Sequence, residues 1–363
     1  MIQQIPQNQL MDFWPYFKKH KLRNPLAQSL VWGKVEGFVD KLENPDVILF
    51  LCEQWACYLA GNSKAENLTE LLMKIPEKAV IHAPSQEWEK CLKTQWTYFG
   101  YLPRTELSAK KISLQSIRRL LSSSPEGFQL NMVDVEVAKQ ILCQKFSDHF
   151  VGLINYFGSP EKLVEEGIGF CLIHESEKIA SLVMGFKASL PITQSVELDI
   201  ATHPDYRGRG FATLVSAKLI EYLLKKGIEP HWDAANPLSV GLAQKLGFTD
   251  PDPYRCYYWR KKPWTISELR ESFNPQFERG LENINLLKSE IENKQVKKSK
   301  SYLISLLKKT RGTFEETLNT INRFLETEIV VESDIPQFNA YVEKIEQRLD
   351  SLELIENEII NIE

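Results

Sequence analysis

Two arginines and two glycines alternate near the middle of the chain, in the segment YRGRGFAT at residues 206–213. A long apolar stripe follows and ends at Gly227, which predicts a helix that begins just after the glycines. The N-terminus of a helix has unpaired backbone N–H groups and a partial positive charge, so it attracts anions. Glycines let an anion come close to those groups, and arginines add donors that suit phosphate. The segment therefore predicts a pyrophosphate site.

Carboxylates lie in two strand-like segments, one before this turn and one after the helix. Alternation puts Glu197 and Asp199 on one face of the first strand, and His231 and Asp233 on one face of the second. Such groups can relay a proton from a reacting group, and we expect Glu197 and Asp233 to be catalytic. The alternative is that these side chains cap turns, bond the neighbouring backbone or face solvent.

The remaining elements of this region predict how those residues are positioned. Short polar turns separate three strands, which makes an antiparallel meander: residues 168–174, 179–186 and 195–202. The later strand, residues 228–234, leads into a short helix that starts at Asn236 and ends at Gly247. The pyrophosphate turn is thus expected between a strand and a helix of an α/β domain.

Three short motifs in this region occur in the order found in a known superfamily: Arg207-x-x-Gly210-x-Ala212, Asn236-x-x-Ser239 and Leu246-Gly247-Phe248. With these motifs, residues 126–262 resemble the GCN5-related N-acetyltransferase (GNAT) superfamily. The segments ELDIAT (197–202), YRGRGFAT and WDAAN (232–236) also resemble a bacterial two-part GNAT family of the zwittermicin-resistance type. In that family an α/β region precedes the acetyltransferase domain.

The resemblance implies a mixed sheet whose fourth and fifth strands splay apart, with the cosubstrate acetyl-CoA between them. Its pantetheine arm would pair with the backbone from Ile200 to Thr202, and its pyrophosphate would lie on the turn. The residues implied in cosubstrate binding are Ile200, Thr202, Arg207, Gly208, Arg209, Gly210, Phe211, Ala212, Thr213, Asn236 and Ser239. Many relatives carry a tyrosine, acting as general acid, seven residues after the asparagine. Here that position is Ala243.

The implied function is an acetyl-CoA-dependent N-acetyltransferase that acts on a primary amine, expected to belong to a small molecule such as an antibiotic or metabolite. A close variant would acetylate a protein. The alternative is an acetyl-CoA-binding regulatory or interaction protein whose helical tail recruits a partner or dimerises. The missing tyrosine and the long tail favour this alternative, whereas the complete set of cosubstrate motifs favours the enzyme.

Residues 1–125 are predicted to form a smaller α/β domain. A buried strand at 47–52, a helix at 66–74 and a strand at 79–82 follow one another in it. This order is compatible with a degenerate copy of the acetyltransferase fold that lost its pyrophosphate turn. Five tryptophans lie here, and most are expected in the core, with closure over the substrate as the alternative: Trp14, Trp32, Trp55, Trp88 and Trp96.

Residues 263–363 are predicted to be a helical bundle or coiled-coil tail. Apolar residues recur there at alternating spacings of three and four, close to the 3.5 period of a coiled-coil seam: Phe338, Val342, Ile345, Leu349, Leu352, Ile355, Ile359 and Ile362. Asp334 precedes Pro336, which predicts a helix start capped by Asp334. The seam could pack within the chain, form a homodimer or bind a protein partner.

Composition limits the remaining classes. The 363 residues include 44 Lys and Arg against 48 Asp and Glu, a net charge of -4, which gives no sign of a dedicated nucleic-acid binder. The first residues have neither a basic segment nor a long apolar run, so we expect a cytoplasmic protein without a membrane segment. The six cysteines form no CxxC pair, so no metal site is expected. His20, His82, His149 and His174 have no obvious partners in sequence and are expected to be ordinary.

Overall fold

The computed structural model describes residues 1–53, 55–122, 125–292, 300–326 and 329–361. Within these residues the strands are β1 (Gln3–Ile5), β2 (Val35–Val39), β3 (Val47–Cys52), β4 (Ala56–Gly61), β5 (Val80–His82), β6 (Tyr98–Ser108), β7 (Phe128–Met132), β8 (Gly167–His174), β9 (Ile179–Phe186), β10 (Ser195–Glu197), β11 (Asp199–Thr202), β12 (Glu229–Ala234) and β13 (Thr249–Arg260). The α-helices are α1 (Arg23–Val31), α2 (Leu68–Leu72), α3 (Glu87–Gln95), α4 (Leu114–Leu120), α5 (Val135–Cys143), α6 (Asp148–Phe157), α7 (Pro160–Glu166), α8 (Leu190–Thr193), α9 (Phe211–Lys225), α10 (Pro237–Lys245), α11 (Ile266–Glu292), α12 (Lys300–Glu326) and α13 (Ile335–Ile360).

Two sheets meet at a single residue. One sheet has the strand order β1-β2-β3-β4-β5-β13-β6-β12-β10 and the other has the order β11-β9-β8-β7. Leu198 alone separates β10, which pairs in parallel with β12, from β11, which pairs antiparallel with β9. The last bond between the diverging strands runs from Leu198 N to His231 O, at 3.3 Å. The predicted strand over 195–202 therefore changes partner at Leu198, and the predicted splayed sheet is confirmed.

A glycine on β9 makes room for this crossing. A Cβ on Gly185 would collide with the side chain of Val196 and lie 2.8 Å from the backbone oxygen of Glu197. Val196 is fully buried, so the two backbones can approach only because Gly185 has no side chain. Gly185 thus fixes where β10 leaves the neighbouring strand and, with it, the position of Glu197.

The strands β1 to β6 of the N-terminal segment and the strands β7 to β13 of the central segment follow a similar order along the chain. Each of these two sets is called a series below. Helical segments connect β1 to β2, and likewise β7 to β8. In the same way, α2 precedes β5 and α9 precedes β12. The last strand of each series lies beside the other series: β13 is next to β5, and β6 is next to β12. This order is compatible with a degenerate copy of the acetyltransferase fold, which stays a prediction. In the N-terminal series, Ala56 of β4 pairs with both β3 and β5. This series therefore has no change of strand partner like the one at Leu198.

The chain divides into two compact units, residues 1–96 with 101–259 and residues 97–100 with 260–363. The predicted boundary between residues 125 and 126 lies inside the first unit and stays a prediction. In the first unit, α9 packs on β8 and β9 through buried side chains such as Leu219 and Ile220. This helix turns its N-terminus toward β11, which is what brings the predicted pyrophosphate turn to the site.

The second unit consists largely of α11, α12 and α13, which contact one another in pairs. Its core contains most of the predicted seam: Phe338, Ile345, Leu352, Ile355 and Ile359 are buried, with Val342 and Leu349 packed against them. Ile362 lies outside the described residues. Asp334 occupies the N-cap of α13 as predicted, but its carboxylate accepts the N–H of Ile266, the first residue of α11, at 2.8 Å. Within the described residues, no helix is both long enough and apolar enough to span a bilayer.

Candidate active site

The space between β11 and β12 beyond Leu198, called the wedge below, has an open strand edge on one side. Ile200 and Thr202 pair with Val183 and Ser181 of β9. Since β11 is the last strand of its sheet, its other edge forms no strand pair within the described residues. A free strand edge presents N–H and C=O groups that can bond an extended ligand. The structure thus leaves the backbone predicted to pair with a pantetheine arm accessible from the wedge.

The glycine turn leads from β11 into α9. Gly208 and Gly210 have φ angles of 77° and 81°, in the left-handed region that favours glycine. Gly210 is the N-cap of α9, and its backbone oxygen accepts the N–H of Leu214. The N–H groups from Phe211 to Thr213 therefore point out of the helix end. A Cβ on Gly210 would meet no atom within 4 Å, so the space before these groups is open and fits a phosphate.

The two arginines of the turn are exposed but already held by the protein. Arg207 donates from Nε to the backbone oxygen of Thr202 at 3.2 Å, so it links the turn to the open strand. The guanidinium of Arg209 lies 4.8 Å from the ring centre of Phe211 and 5.1 Å from that of Phe128. These contacts orient both positive charges beside the end of α9.

Asn236 and Ser239 have structural partners at the start of α10. The side-chain oxygen of Asn236 accepts the N–H of Ser239 at 2.9 Å, which caps the helix. The Ser239 hydroxyl accepts the indole N–H of Trp232 at 3.1 Å. The predicted contact of these two residues with the cosubstrate stays a prediction beside these roles. Ala243, on the same helix, is fully buried.

Glu197 lies at the point where β10 and β12 diverge. One carboxylate oxygen accepts the N–H of Asp233 at 3.1 Å, and the other pairs with Nδ1 of His231. Burial raises the pKa of Glu197 above its ordinary range, although the charge of His231 opposes this. Burial would lower the pKa of His231, but the charge of Glu197 and hydrogen bonds to Glu106 and Glu197 raise it to about 10.

Asp233, the second predicted catalytic residue, is fully buried and held by two donors. Arg104 donates from Nε to its carboxylate and from Nη2 to its backbone oxygen at 3.2 Å. The hydroxyl of Tyr254 donates to the other carboxylate oxygen. Burial would lower the pKa of Arg104, but the charge of Asp233 raises it above its ordinary range. Asp233 is thus tied to a permanent cation, whereas Glu197 is not.

Glu106 is a member of this network that the sequence did not indicate. It lies on β6, opposite Asp233 on β12, and its Oε1 is 3.0 Å from Nε2 of His231. Lys21 and Arg23 also contact the carboxylate, at 3.1 and 3.2 Å. Burial would raise the pKa of Glu106, but the hydrogen bonds and charges of His231 and Lys21 lower it to about 2.

A cavity of about 620 Å³ opens beside Glu197, Leu198 and Asp199. Aromatic and acidic side chains from four parts of the chain line it: Trp32 after α1, Trp55 after β3, Asp148, His149 and Tyr156 on α6, and Phe186 on β9. Trp55, which follows β3, is 47% exposed, and Trp32 is half-buried. Of the five tryptophans of the N-terminal segment, Trp88 is buried and Trp14 and Trp32 pack against core clusters, as expected for most of them. Trp32 and Trp55 also line the cavity.

His149 also lies on this cavity and differs from its expected ordinary role. Its Nε2 is 3.5 Å from a carboxylate oxygen of Asp199, the first residue of β11. That contact raises the pKa of His149, against the opposing effect of burial. No sequence signal joins these residues, which are fifty positions apart.

Comparisons with known proteins agree with this geometry. The N-acetyltransferase YdfB of Bacillus subtilis, itself described as uncharacterized, is 26% identical over 188 residues, 51% of this chain and 68% of its own length. The crystal structure of a GCN5-related N-acetyltransferase-like protein from Streptococcus suis matches with a TM-score of 0.55 and 22% identity, over 70% of this chain and 99% of that chain. The family model described as GNAT acetyltransferase matches residues 16–257. The chain belongs to the GNAT acetyltransferase family.

Proposed function

We propose that this enzyme moves the acetyl group of acetyl-CoA to the primary amine of a small molecule. One observation carries the proposal: Glu197, at the point where the strands diverge, lines a cavity of about 620 Å³. A cavity of this size suits a small ligand rather than a protein surface. A protein acceptor would need an open groove instead.

GNAT enzymes use acetyl-CoA as cosubstrate, and when bound it supplies the activated acetyl group as a thioester. The pyrophosphate would be held by the N–H groups of 211–213, with Gly208 and Gly210 allowing its approach and Arg207 and Arg209 adding positive charge. The backbone of Ile200 to Thr202 would hold the pantetheine arm. Asn236 and Ser239 would contribute from the start of α10.

In this proposal Glu197 is the general base. It is the carboxylate on the cavity whose pKa is raised by burial, so it binds a proton more readily than an ordinary carboxylate does. Asp233 takes a positioning role, because its backbone N–H orients Glu197 while Arg104 and Tyr254 occupy its own carboxylate. His231 keeps the second oxygen of Glu197 in place.

The cavity walls suggest the kind of amine. Trp32, Trp55 and Tyr156 offer apolar ring surface, while Asp148 and Asp199 offer negative charge close to Glu197. An ammonium ion is attracted both to carboxylates and to aromatic faces. We therefore propose an acceptor whose cationic amine is carried on a largely apolar body.

The test is thiol release from acetyl-CoA in the presence of a panel of amines: 2-phenylethylamine, tryptamine, spermidine, glucosamine and a lysine-containing peptide. We expect the two arylalkylamines to give the highest kcat/KM. Faster reaction with the peptide would contradict a small-molecule acceptor. Measurable acetyl-CoA binding by calorimetry with no thiol release from any amine would contradict the transferase proposal and favour the binding-protein alternative.

Three finer points extend the proposal. The likeness to the zwittermicin-resistance type within the family rests on the sequence motifs at 197–202, 206–213 and 232–236. A cytoplasmic location is proposed because all six cysteines are free thiols. The regular seam of the helical tail packs largely within the second unit, so a homodimer or a partner would have to bind other faces of these helices.

A further inference from the structure

Acetyl transfer leaves a thiolate that must gain a proton, and four described side chains on the cavity carry an ionisable donor group: His82, Arg104, His149 and Tyr156. Burial lowers the pKa of His82 to about 3, so its ring is neutral at pH 7. Arg104 is bound to Asp233, and its pKa lies above the ordinary range. Burial raises the pKa of Tyr156, which makes it a weaker acid than an ordinary phenol. His149 is the remaining donor, and its pKa is raised from 6.5.

His149 lies beside the point where the strands diverge. Asp199 is the first residue of β11, directly after the Leu198 break, and it holds Nε2 of His149 at 3.5 Å. Nδ1 has no hydrogen-bond partner among the described residues and is left to donate. Both side chains are partly exposed, at 53% for His149 and 37% for Asp199, so the ring can reach a ligand in the wedge.

We propose that His149 is the general acid of this active site, donating a proton from Nδ1 to the leaving thiolate, and that Asp199 is a positioning residue that holds the ring for this step. The proposal rests on the proposed function above. As the carbon–sulfur bond breaks, the N–H bond of the imidazolium breaks and an S–H bond forms. His149 is then neutral and regains a proton from water, while the proton taken by Glu197 from the amine returns to water.

Charged groups from several elements line the cavity together with His149. Asp148 lies on its own helix, Asp199 on β11, Glu197 on β10, and the bound pair Arg104 and Asp233 on β6 and β12. Of these, Asp199 makes the contact that raises the pKa. The acid is therefore expected to keep its proton to a higher pH than an ordinary imidazole, and the loss of that proton gives kcat a descending limb.

A binding measurement tests the placement without any acceptor amine. The ¹⁵N-labelled full-length protein is titrated with CoA, and the ring signals of the histidines are followed by NMR. We expect the His149 signals to shift and those of His20, buried in the N-terminal core, to stay unchanged. In Asp199→Asn, the pKa of His149 should fall toward 6.5. If the His149 ring signals do not shift with CoA and its pKa does not change in Asp199→Asn, the proposal is wrong.

Kinetics with the best amine of the panel tests the chemical role. His149→Gln should lower kcat by about 100-fold, leave the KM for acetyl-CoA within about twofold, and remove the descending limb. Added imidazole should restore part of the rate. Asp199→Asn should instead keep the limb and move it to lower pH. If wild type turns over and His149→Gln keeps its kcat and pH profile, the general-acid role is wrong while the proposed function stands.

Discussion

Oε1 of Glu106 lies 3.0 Å from Nε2 of His231, and this contact joins the N-terminal segment to the centre of the acetyltransferase site. His231 in turn pairs through Nδ1 with Glu197. A carboxylate on each ring nitrogen favours the doubly protonated imidazolium, since both nitrogens must then donate. The strand β6, which the N-terminal series places beside β12, therefore determines the charge next to the proposed base.

The first prediction concerns stability against pH. The pKa of His231 is about 10 in the folded protein, above the ordinary 6.5 of an unfolded chain. The folded state thus binds the proton more tightly, and this contribution is fully present below pH 6.5 and lost as the pH rises toward 10. We expect the free energy of unfolding, measured by urea denaturation, to fall across this window.

The matched variants for this experiment are His231→Gln and His174→Gln. His231→Gln should reduce the decrease between pH 6.5 and 10, while His174→Gln, at the end of β8, should keep the wild-type dependence. The same slope in all three proteins would show that His231 does not carry the linkage.

The sequence predicted the elements whose signals are local. The glycine turn, its helix and the capped start at Asn236 were all placed correctly, because turn and capping residues act within a few positions. The family resemblance implied that the fourth and fifth strands splay apart, but it did not place the break at Leu198. The local pattern alone predicted one continuous strand, since a change of strand partner depends on Gly185 and other residues distant in sequence.

Residues brought to the site by long-range packing could not be predicted. Arg104 and Glu106 alternate on one strand and look like any exposed charged pair in the sequence. Arg104 and Glu106 lie against β12 only because β6, the last strand of the N-terminal series, pairs with the central series, as β13 pairs with β5. Asp334 is a second example, because its carboxylate accepts an N–H of α11 rather than one of the helix that it precedes.

The second prediction tests the proposed base. Glu197→Gln should keep the shape and the bond to Asp233 N but cannot accept a proton, so kcat should fall by about 10² to 10⁴. The KM for acetyl-CoA should change little. Glu229→Gln, on an exposed position of β12, is the control and should behave as wild type. Equal kcat values for the two variants would exclude Glu197 as the base.

The third prediction tests the glycine turn. Gly210 and Gly227 lie at opposite ends of α9, both with left-handed φ and both with open space around an added Cβ. Glutamate at either position therefore costs similar backbone strain, about 1–2 kcal/mol. Gly210→Glu also puts a negative side chain where the pyrophosphate is proposed to bind, so we expect its Kd for acetyl-CoA by calorimetry to rise at least tenfold. An equal change in Gly227→Glu would argue against the assignment.

The fourth prediction tests the cavity. Trp55→Ala removes an exposed aromatic wall, so the KM for an arylalkylamine should rise about three- to thirtyfold, with the KM for acetyl-CoA unchanged. Trp96 stacks on Trp259 at 5.4 Å and does not line the cavity. Trp96→Ala should therefore alter stability but not the amine KM. A larger rise in Trp96→Ala than in Trp55→Ala would place the acceptor elsewhere.

The fifth prediction concerns the helical unit, where two glycines inside long helices differ only in their surroundings. A Cβ on Gly280 of α11 would lie 2.7 Å from the ring of the fully buried Phe314, whereas one on Gly312 of α12 would meet nothing within 4 Å. Gly280→Ala should thus destabilise this unit by about 1–3 kcal/mol through overpacking. Gly312→Ala should stabilise it by about 1 kcal/mol, because alanine favours the helix. Thermal unfolding of the full chain, followed by circular dichroism, measures both. Shifts of the same sign would mean that Phe314 does not pack against Gly280.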